Sequence, residues 1–354
     1  MLGYVDYIVL STSLLISSFI GIYYHRQKDA KDYLFAGRSA NPITVAFSLV
    51  VTFMSAITLL GMAFECYMFG IQFIVAVLAT GIMTPIAAYV YLPVFHRLES
   101  PSTFAYLEMR FSRIVRLAAS MAFTVQIVLY MAIVVYAPAI ALEAVTGLPK
   151  VGSVFAIGFV CTFYSTMGGL KAVLATDVFQ ALLMMSSLII VFVGGWFQLD
   201  GLENVLELSE DRLQLFDFNP DPTVRHTFWT QVIGATFVLL SMYAVNQAQI
   251  QRLLSTRTLK EAQISLWIQW PIHSVMMIMT GFAGLICYAY YKGCDPIKLE
   301  RISKGDQILP LFVMDTMSDY PGVVGLFISG ILSGCLSTCR LPLILWPQSQ
   351  WRIT

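Results

Sequence analysis

Two stretches of this chain put hydroxyl and small side chains among apolar ones, in a pattern that could build an oxygen cage for a hard monovalent cation. Residues 48–61 interleave Ser48, Thr52, Ser55, Thr58 and Gly61 with Val, Phe, Met and Leu, and residues 333–338 read Ser-Gly-Cys-Leu-Ser-Thr. A hard cation demands oxygen ligands. Neutral hydroxyls, together with carbonyls freed by a local helix break, replace its hydration shell without a full counter-charge in an apolar medium. A plainer reading stays open, because Ser and Thr in apolar helices commonly bond back to their own helix or join two helices. Further polar residues, Gln126, Tyr130, Asp177, Gln180, Asn246 and Gln247, also fall in or at the ends of apolar segments. Such groups belong against a protein interior or a watery cavity.

The segments that must position them are membrane spans. The chain is 58% apolar and 12% charged over 354 residues, with a mean hydropathy of +0.74, outside the usual range of soluble domains. Nine apolar runs, free of Lys and Arg apart from Arg116 at the start of the fourth, cover residues 5–24, 43–64, 70–95, 115–143, 151–166, 176–197, 228–245, 265–291 and 323–338, close to the roughly 20 residues that cross a bilayer as a helix. The first run lacks a preceding basic segment and a small-residue cleavage site, so it reads as a retained helix rather than a leader. The second, with its mixture of small and hydroxyl residues, reads as a helix whose backbone opens locally.

With the N-terminus extracellular, fourteen of the 21 Lys and Arg fall on the inner side, among them Arg38, Arg97, Arg110, Arg252 and Arg257. That bias satisfies the positive-inside rule. Formal net charge is zero, which gives no reason to expect a nucleic-acid partner. The six cysteines show no metal-ligand spacing. They read as packing thiols, with Cys287 and Cys294 the one pair placed for a disulfide. His25, His96, His226 and His273 are dispersed and pair with no nucleophile, so an embedded enzyme finds no support. No soluble domain interrupts the spans.

The chain resembles the sodium/solute symporter family over residues up to Thr338. The matching stretches are 33–38 (YLFAGR), 53–61 (FMSAITLLG), 106–111 (YLEMRF), 136–142 (YAPAIAL), 168–173 (GGLKAV) with Asp177 and Gln180, 221–230 (DPTVRHTFWT) and 246–252 (NQAQIQR). The last two, with 310–327, resemble the monocarboxylate, multivitamin and iodide branch more than the sugar branch. The resemblance implies an all-α, polytopic LeuT-type inverted-repeat fold with a site near the bilayer midplane. The second to sixth spans would form one repeat and the seventh to ninth an incomplete second one. Residues 1–338 would be the symporter membrane domain and 339–354 an atypical tail.

Carried onto this sequence, the family's main sodium site would use the carbonyls of Val51, Met54 and Gly334 and the hydroxyls of Ser337 and Thr338. A second cation site would involve Thr52, Asp177, Gln180 and Gln247. Asp177 has another role open to it, as a cap on the sixth span. Phe53 and Thr58 would line the substrate cavity, with Tyr130, Met242 and Tyr243 as gate or wall. The apolar wall suits a carboxylate on a hydrocarbon body, such as a monocarboxylate, biotin, pantothenate or lipoate, more than a sugar with many hydroxyls. The implied activity is sodium-coupled symport of small organic anions at the plasma membrane by alternating access, with Na+ as coupling ion and no other cofactor. The alternative is a shortened, non-transporting form that associates with the full-length transporter.

Overall fold

The structure, a computed structural model, describes residues 3–25, 29–98, 102–147 and 149–339. Almost all of the expected tail therefore lies outside the described residues, as do Arg26, Lys28, Arg340 and Arg352 of the inner basic set. The described chain is helical. In order, the helices that matter are α1 (Tyr4–Tyr23), α2 (Pro42–Phe53), α3 (Ala56–Phe69), α4 (Ile71–Leu98), α5 (Phe104–Arg110) and α6 (Arg113–Thr146). They continue as α7 (Val151–Phe163), α8 (Thr166–Gln198), α9 (Trp229–Tyr243), α10 (Gln247–Leu253), α11 (Leu259–Tyr290), α12 (Ile308–Met317) and α13 (Val323–Cys339).

Local chemistry explains several helix starts. Asn41 accepts a hydrogen bond from the Ile43 amide at 2.9 Å ahead of Pro42 at the first helical position, and Thr258 accepts one from the Glu261 amide at 3.2 Å. Both are N-caps that satisfy orphan amides. Among the described residues, five helices are long and apolar enough to span a membrane, and α2 with α3 makes a sixth as a bent pair. The shorter apolar helices α7, α9 and α13 occupy the other expected runs.

Hydrogen bonds sort the loops onto two faces. On one, Ala40 N–H donates to Ser255 O at 3.0 Å, Lys171 pairs with Asp32 at 2.6 Å and Gln251 donates to Leu34 O at 2.6 Å. On the other, Arg225 pairs with Glu65 at 2.5 Å and Tyr67 donates to Asp295 at 3.1 Å. This alternation is the one expected from the runs. It also makes α2 enter from the first face and α9 from the second, so the two helices that open the two repeats point in opposite senses, as inversion requires.

The fifth and sixth spans are joined more tightly than expected. Helical hydrogen bonding continues from Lys150 to Gln198, interrupted in backbone angles at Gly169, with φ 54° and ψ −161°. A straight helix would separate Ile157 and Ser187 by about 45 Å. Instead Ile157 shares an apolar cavity with Leu332, and Ser187 crowds Gly330, two residues earlier on α13. The chain therefore folds back at Gly169, where only a glycine takes such angles readily. Asp177 lies two turns beyond that point inside α8, so it is not a helix cap.

Three more expectations need correction. The seventh span ends near Val245 as expected, but it does not give way to a solvated loop: after an extended Asn246, with φ −67° and ψ 130°, the chain starts a second helix, α10, whose residues are all buried. Arg252, counted as an inner-loop charge, is on that helix and is 3% exposed. Cys287 and Cys294 are free, the first buried and the second exposed.

The terminal helix α1 is peripheral but firmly tied. Its buried Asp6 carboxylate accepts from the amides of Gly322 and Gly325 at 3.0 and 2.9 Å, capping the start of α13, where a negative charge meets the positive end of the helix dipole. Ser13 donates to Ser329 at 3.2 Å further along the same seam. Replacing Asp6 with Ala strands both amides, and we expect the apparent unfolding temperature of the purified protein in detergent to fall by the equivalent of about 1–3 kcal/mol. An unchanged melting profile would show that α13 needs no such cap.

Candidate functional site

The break between α2 and α3 is the centre of the molecule. The two helices bend by 61° at Met54 and Ser55, whose ψ angles of 73° and 171° leave the helical range. A helix that stops this way leaves its last carbonyls without intrahelical donors, and in a fully buried place each needs another partner. Ser337 Oγ donates to Val51 O at 2.9 Å and Thr338 Oγ1 to Thr52 O at 3.2 Å. Thr58 Oγ1 donates to Phe53 O at 3.2 Å. Both α13 hydroxyls also reach Gly334 O, at 3.0 Å each.

Gly334 is what lets α13 come this close. A β-carbon there would stand 2.9 Å from Ala56 N, 3.1 Å from Ser55 C and 3.4 Å from Met54 O, so any side chain would push the break away. The structure thus gathers Val51, Met54, Gly334, Ser337 and Thr338 in one buried locus, with the Thr52 carbonyl as an addition. Oxygens 2.9 to 3.2 Å apart are spaced like neighbours in the shell of a hard cation with bonds of about 2.4 Å.

The four residues of the expected second cation site are placed differently. Ser48 Oγ donates to Asp177 Oδ2 at 2.5 Å and receives the Arg252 Nε–H at 2.8 Å, and Arg252 Nε stands 3.8 Å from the same carboxylate oxygen. Thr52 Oγ1 donates to Ser48 O at 2.6 Å, and Gln180 is buried. The Gln247 amide oxygen accepts from the Thr103 amide and hydroxyl at 2.6 and 2.8 Å. A fixed guanidinium therefore already faces Asp177. A metal ion beside it would meet like-charge repulsion that a low-dielectric interior does not screen, which counts against a second cation there.

Beside the break lies a cavity of about 450 Å³, lined by Phe53, Tyr130 and Met242 with Phe123, Gln126 and Asn246. Its volume falls in the range of small-molecule pockets, and its walls combine aromatic faces with a few amides. Phe104 also lines it, next to Thr103, so the cavity extends toward the face that carries residues 102–103. Two expected lining residues are elsewhere. Thr58 turns its hydroxyl back to the broken backbone, and Tyr243, 1% exposed, packs behind Phe53 with ring centroids 5.5 Å apart.

Reading the sequence alone placed Ser48 in the hydroxyl-rich segment but missed its partner Arg252, whose signal was a charge at the end of an amide-rich segment. It also missed Gln269 and His273 on α11. Both polar atoms of the Gln269 amide, His273 Nδ1 and the Tyr243 hydroxyl are buried with no hydrogen-bond partner among the described residues, an arrangement that costs about 1–3 kcal/mol per group.

A helix broken partway along its span, a second one of opposite sense interrupted at Asn246 and an oxygen-rich contact with α13 define a polytopic membrane protein of the LeuT-type inverted-repeat class. Its backbone superimposes on a solved structure of a Na+-coupled sialic acid symporter in a substrate-bound outward-open state, with a TM-score of 0.92, 26% identity, and coverage of 99% of this chain and 76% of the other. The pattern of the sodium:solute symporter family matches residues 33–344, and the chain belongs to that family. A Drosophila melanogaster protein described as a sodium-dependent multivitamin transporter is 48% identical over 95% of this chain and 57% of its own length. The sodium-coupled monocarboxylate transporter 1 of Xenopus laevis is 46% identical, over 94% and 54%, and the human sodium/iodide cotransporter 43% identical, over 94% and 53%. The chain thus spans about half the length of the curated relatives it matches.

The Arg252–Asp177 pair supplies a direct test of how the two broken helices are held. Arg252→Met leaves the Asp177 carboxylate in the core without its guanidinium and should cost about 3–5 kcal/mol, read as lost thermostability in detergent. Adding Asp177→Asn should recover most of that loss, and a double variant as unstable as the single one would rule the ion pair out as the cause.

Proposed function

We propose that this chain forms the sodium-binding part of a symporter for small organic anions, with one Na+ held by the carbonyls of Val51, Met54 and Gly334 and the hydroxyls of Ser337 and Thr338. The observation that carries the reading is the direct bonding of Ser337 and Thr338 to the broken α2 backbone. The same hydroxyl oxygens that satisfy the carbonyls have lone pairs to offer an ion, so Na+ entering between them ties α13 to the break and neutralises carbonyl dipoles that otherwise oppose one another. Binding then favours the arrangement in which the two helices are clamped, and that population shift is how an ion becomes coupled to a second solute.

The cavity supports the reading of the substrate class. Phe53, Phe123 and Met242 offer a hydrocarbon surface and too few polar groups to pair the hydroxyls of a sugar, whereas a monocarboxylate or a carboxylate vitamin needs few. In this reading the transporter works by alternating access in the plasma membrane, with the N-terminus outside. The inward membrane potential adds about 2.3 kcal/mol per charge per 100 mV to each sodium entry.

Ser337→Ala and Thr338→Ala each remove one ion ligand, and together they should abolish saturable 22Na+ binding to the purified chain in nanodiscs. Binding that survives in the double variant would place the ion elsewhere. The orientation has its own test, because Cys294 is exposed on the face shared with Arg225 and Asp295 while Cys66, Cys161, Cys287 and Cys335 are buried. A membrane-impermeant maleimide should label Cys294 from outside intact cells, and labelling only after permeabilisation would invert the topology.

A further inference from the structure

Away from the break, a cavity of about 350 Å³ lies between α1, α6, α7 and α13, walled by Leu10, Leu142, Ile157, Leu332 and Leu336 among others. Ser153 is the one polar side chain in its lining. It is 4% exposed, and its hydroxyl meets no hydrogen-bond partner among the described residues. A serine on a helix ordinarily bonds back to the carbonyl one turn earlier, but here the Pro149 carbonyl takes only the Ser153 amide, at 3.2 Å. An unmet hydroxyl in an apolar wall is costly, so the cavity suits an occupant that is hydrocarbon except at one point. Ser153 stands one turn past Pro149, about 6 Å along the helix, toward the face where α1 and α13 are joined through Asp6. The deep end is at mid-span, where Cys161 Sγ approaches Leu336 O at 3.6 Å and puts Val160 level with the residue before Ser337. From Pro149 to Val160 the lining runs about 16 Å. Gly152 and Ala156 of the lining are exposed, and Phe155 and Phe159 beside them are each 73% exposed. The cavity therefore opens sideways through an apolar helix face, which in a membrane meets lipid rather than water.

We propose that this cavity is a sterol site, with the sterol hydroxyl bonded to Ser153 and the fused rings lying along α7 and α13 toward Leu336. Each hydroxyl can both donate and accept, so the two satisfy one another where water does not reach. The match is one of polarity, depth and stiffness. A sterol is hydrocarbon with a single hydroxyl at one end, and it lies in a leaflet with that end near the headgroups, the level at which Ser153 stands. A phospholipid brings ester and phosphate groups that one serine cannot satisfy, and a fatty acid brings a charge for which the lining holds no cation. Rigid rings also lose little conformational freedom on being ordered. Filled, the cavity gives Leu332 and Leu336 the contacts that a void denies them, and α13 is then packed firmly against α1 and α7 just above its two hydroxyls. The site stands apart from the ion and the solute and does not depend on the reading of either.

The test is binding of tritiated cholesterol to the purified full chain in detergent, with unlabelled cholesterol and its 3-deoxy analogue 5-cholestene as competitors. Binding should saturate, and cholesterol should compete about 3- to 10-fold better than 5-cholestene, the worth of one hydrogen bond. Ser153→Ala should erase that preference, and Ser153→Thr, which keeps a hydroxyl, should retain it. In sterol-free detergent Ser153→Ala should melt no lower than the wild type, because it deletes a group that has no partner there, so a lost preference is not a lost fold. Ala156→Trp should close the cavity and abolish binding. Absence of saturable cholesterol binding, a preference that survives Ser153→Ala, or displacement by phosphatidylcholine as effective as by cholesterol overturns the assignment.

Discussion

Everything in this molecule is arranged around three carbonyls, those of Val51, Thr52 and Phe53, that a helix gives up when it breaks in a place water does not fill. In an apolar medium an unmet carbonyl is expensive, so the break at Met54 and Ser55 can exist only because hydroxyls on α13 and on α3 itself come to meet it. This constraint fixes the distance between α2 and α13, demands a glycine at position 334, and leaves Phe53 at the edge of a cavity. The chemistry that makes the fold affordable is also the chemistry a sodium ion would use.

The second constraint is electrostatic. Arg252 and Asp177 bring a full ion pair into the core, with Ser48 as the shared hydroxyl between them. They join α10 from the second repeat to α2 and α8 from the first, and each charge makes the other tolerable. The neutral oxygen cluster and the charged cluster lie on successive turns of one helix, at Val51 and Thr52 and at Ser48. One is uncharged, and the other carries its own cation.

Much of this was legible beforehand. The spans announce themselves by hydropathy, and the break in the second was readable because Thr52, Ser55, Thr58 and Gly61 weaken an apolar helix where nothing else explains them. The reversal at Gly169 was not readable as a continuous hydrogen-bonded turn, because 168–173 (GGLKAV) looks like an ordinary loop between two runs. Arg252 was misplaced for a general reason: positive charge near a span end is usually solvated, and only tertiary contact with Asp177 reveals otherwise. Gln269 and His273 were passed over because a polar residue in a long apolar helix gains meaning only when its neighbours are seen to leave it unmet. Gln247 was assigned by motif to a cation, and the Thr103 amide, 144 residues away, has a hold on its oxygen that no local pattern announces.

The helix that carries Ser337 and Thr338 is pinned at both ends, by Asp6 of α1 at its start and by the α2 carbonyls near its finish. A piston stroke along its own axis would sever both attachments at once. Tilting, by contrast, can pivot on either anchor and keep it, with α1 carried along as a passenger. The peripheral helix, far along the chain from the break itself, therefore limits which direction of travel is open to the helix that meets it.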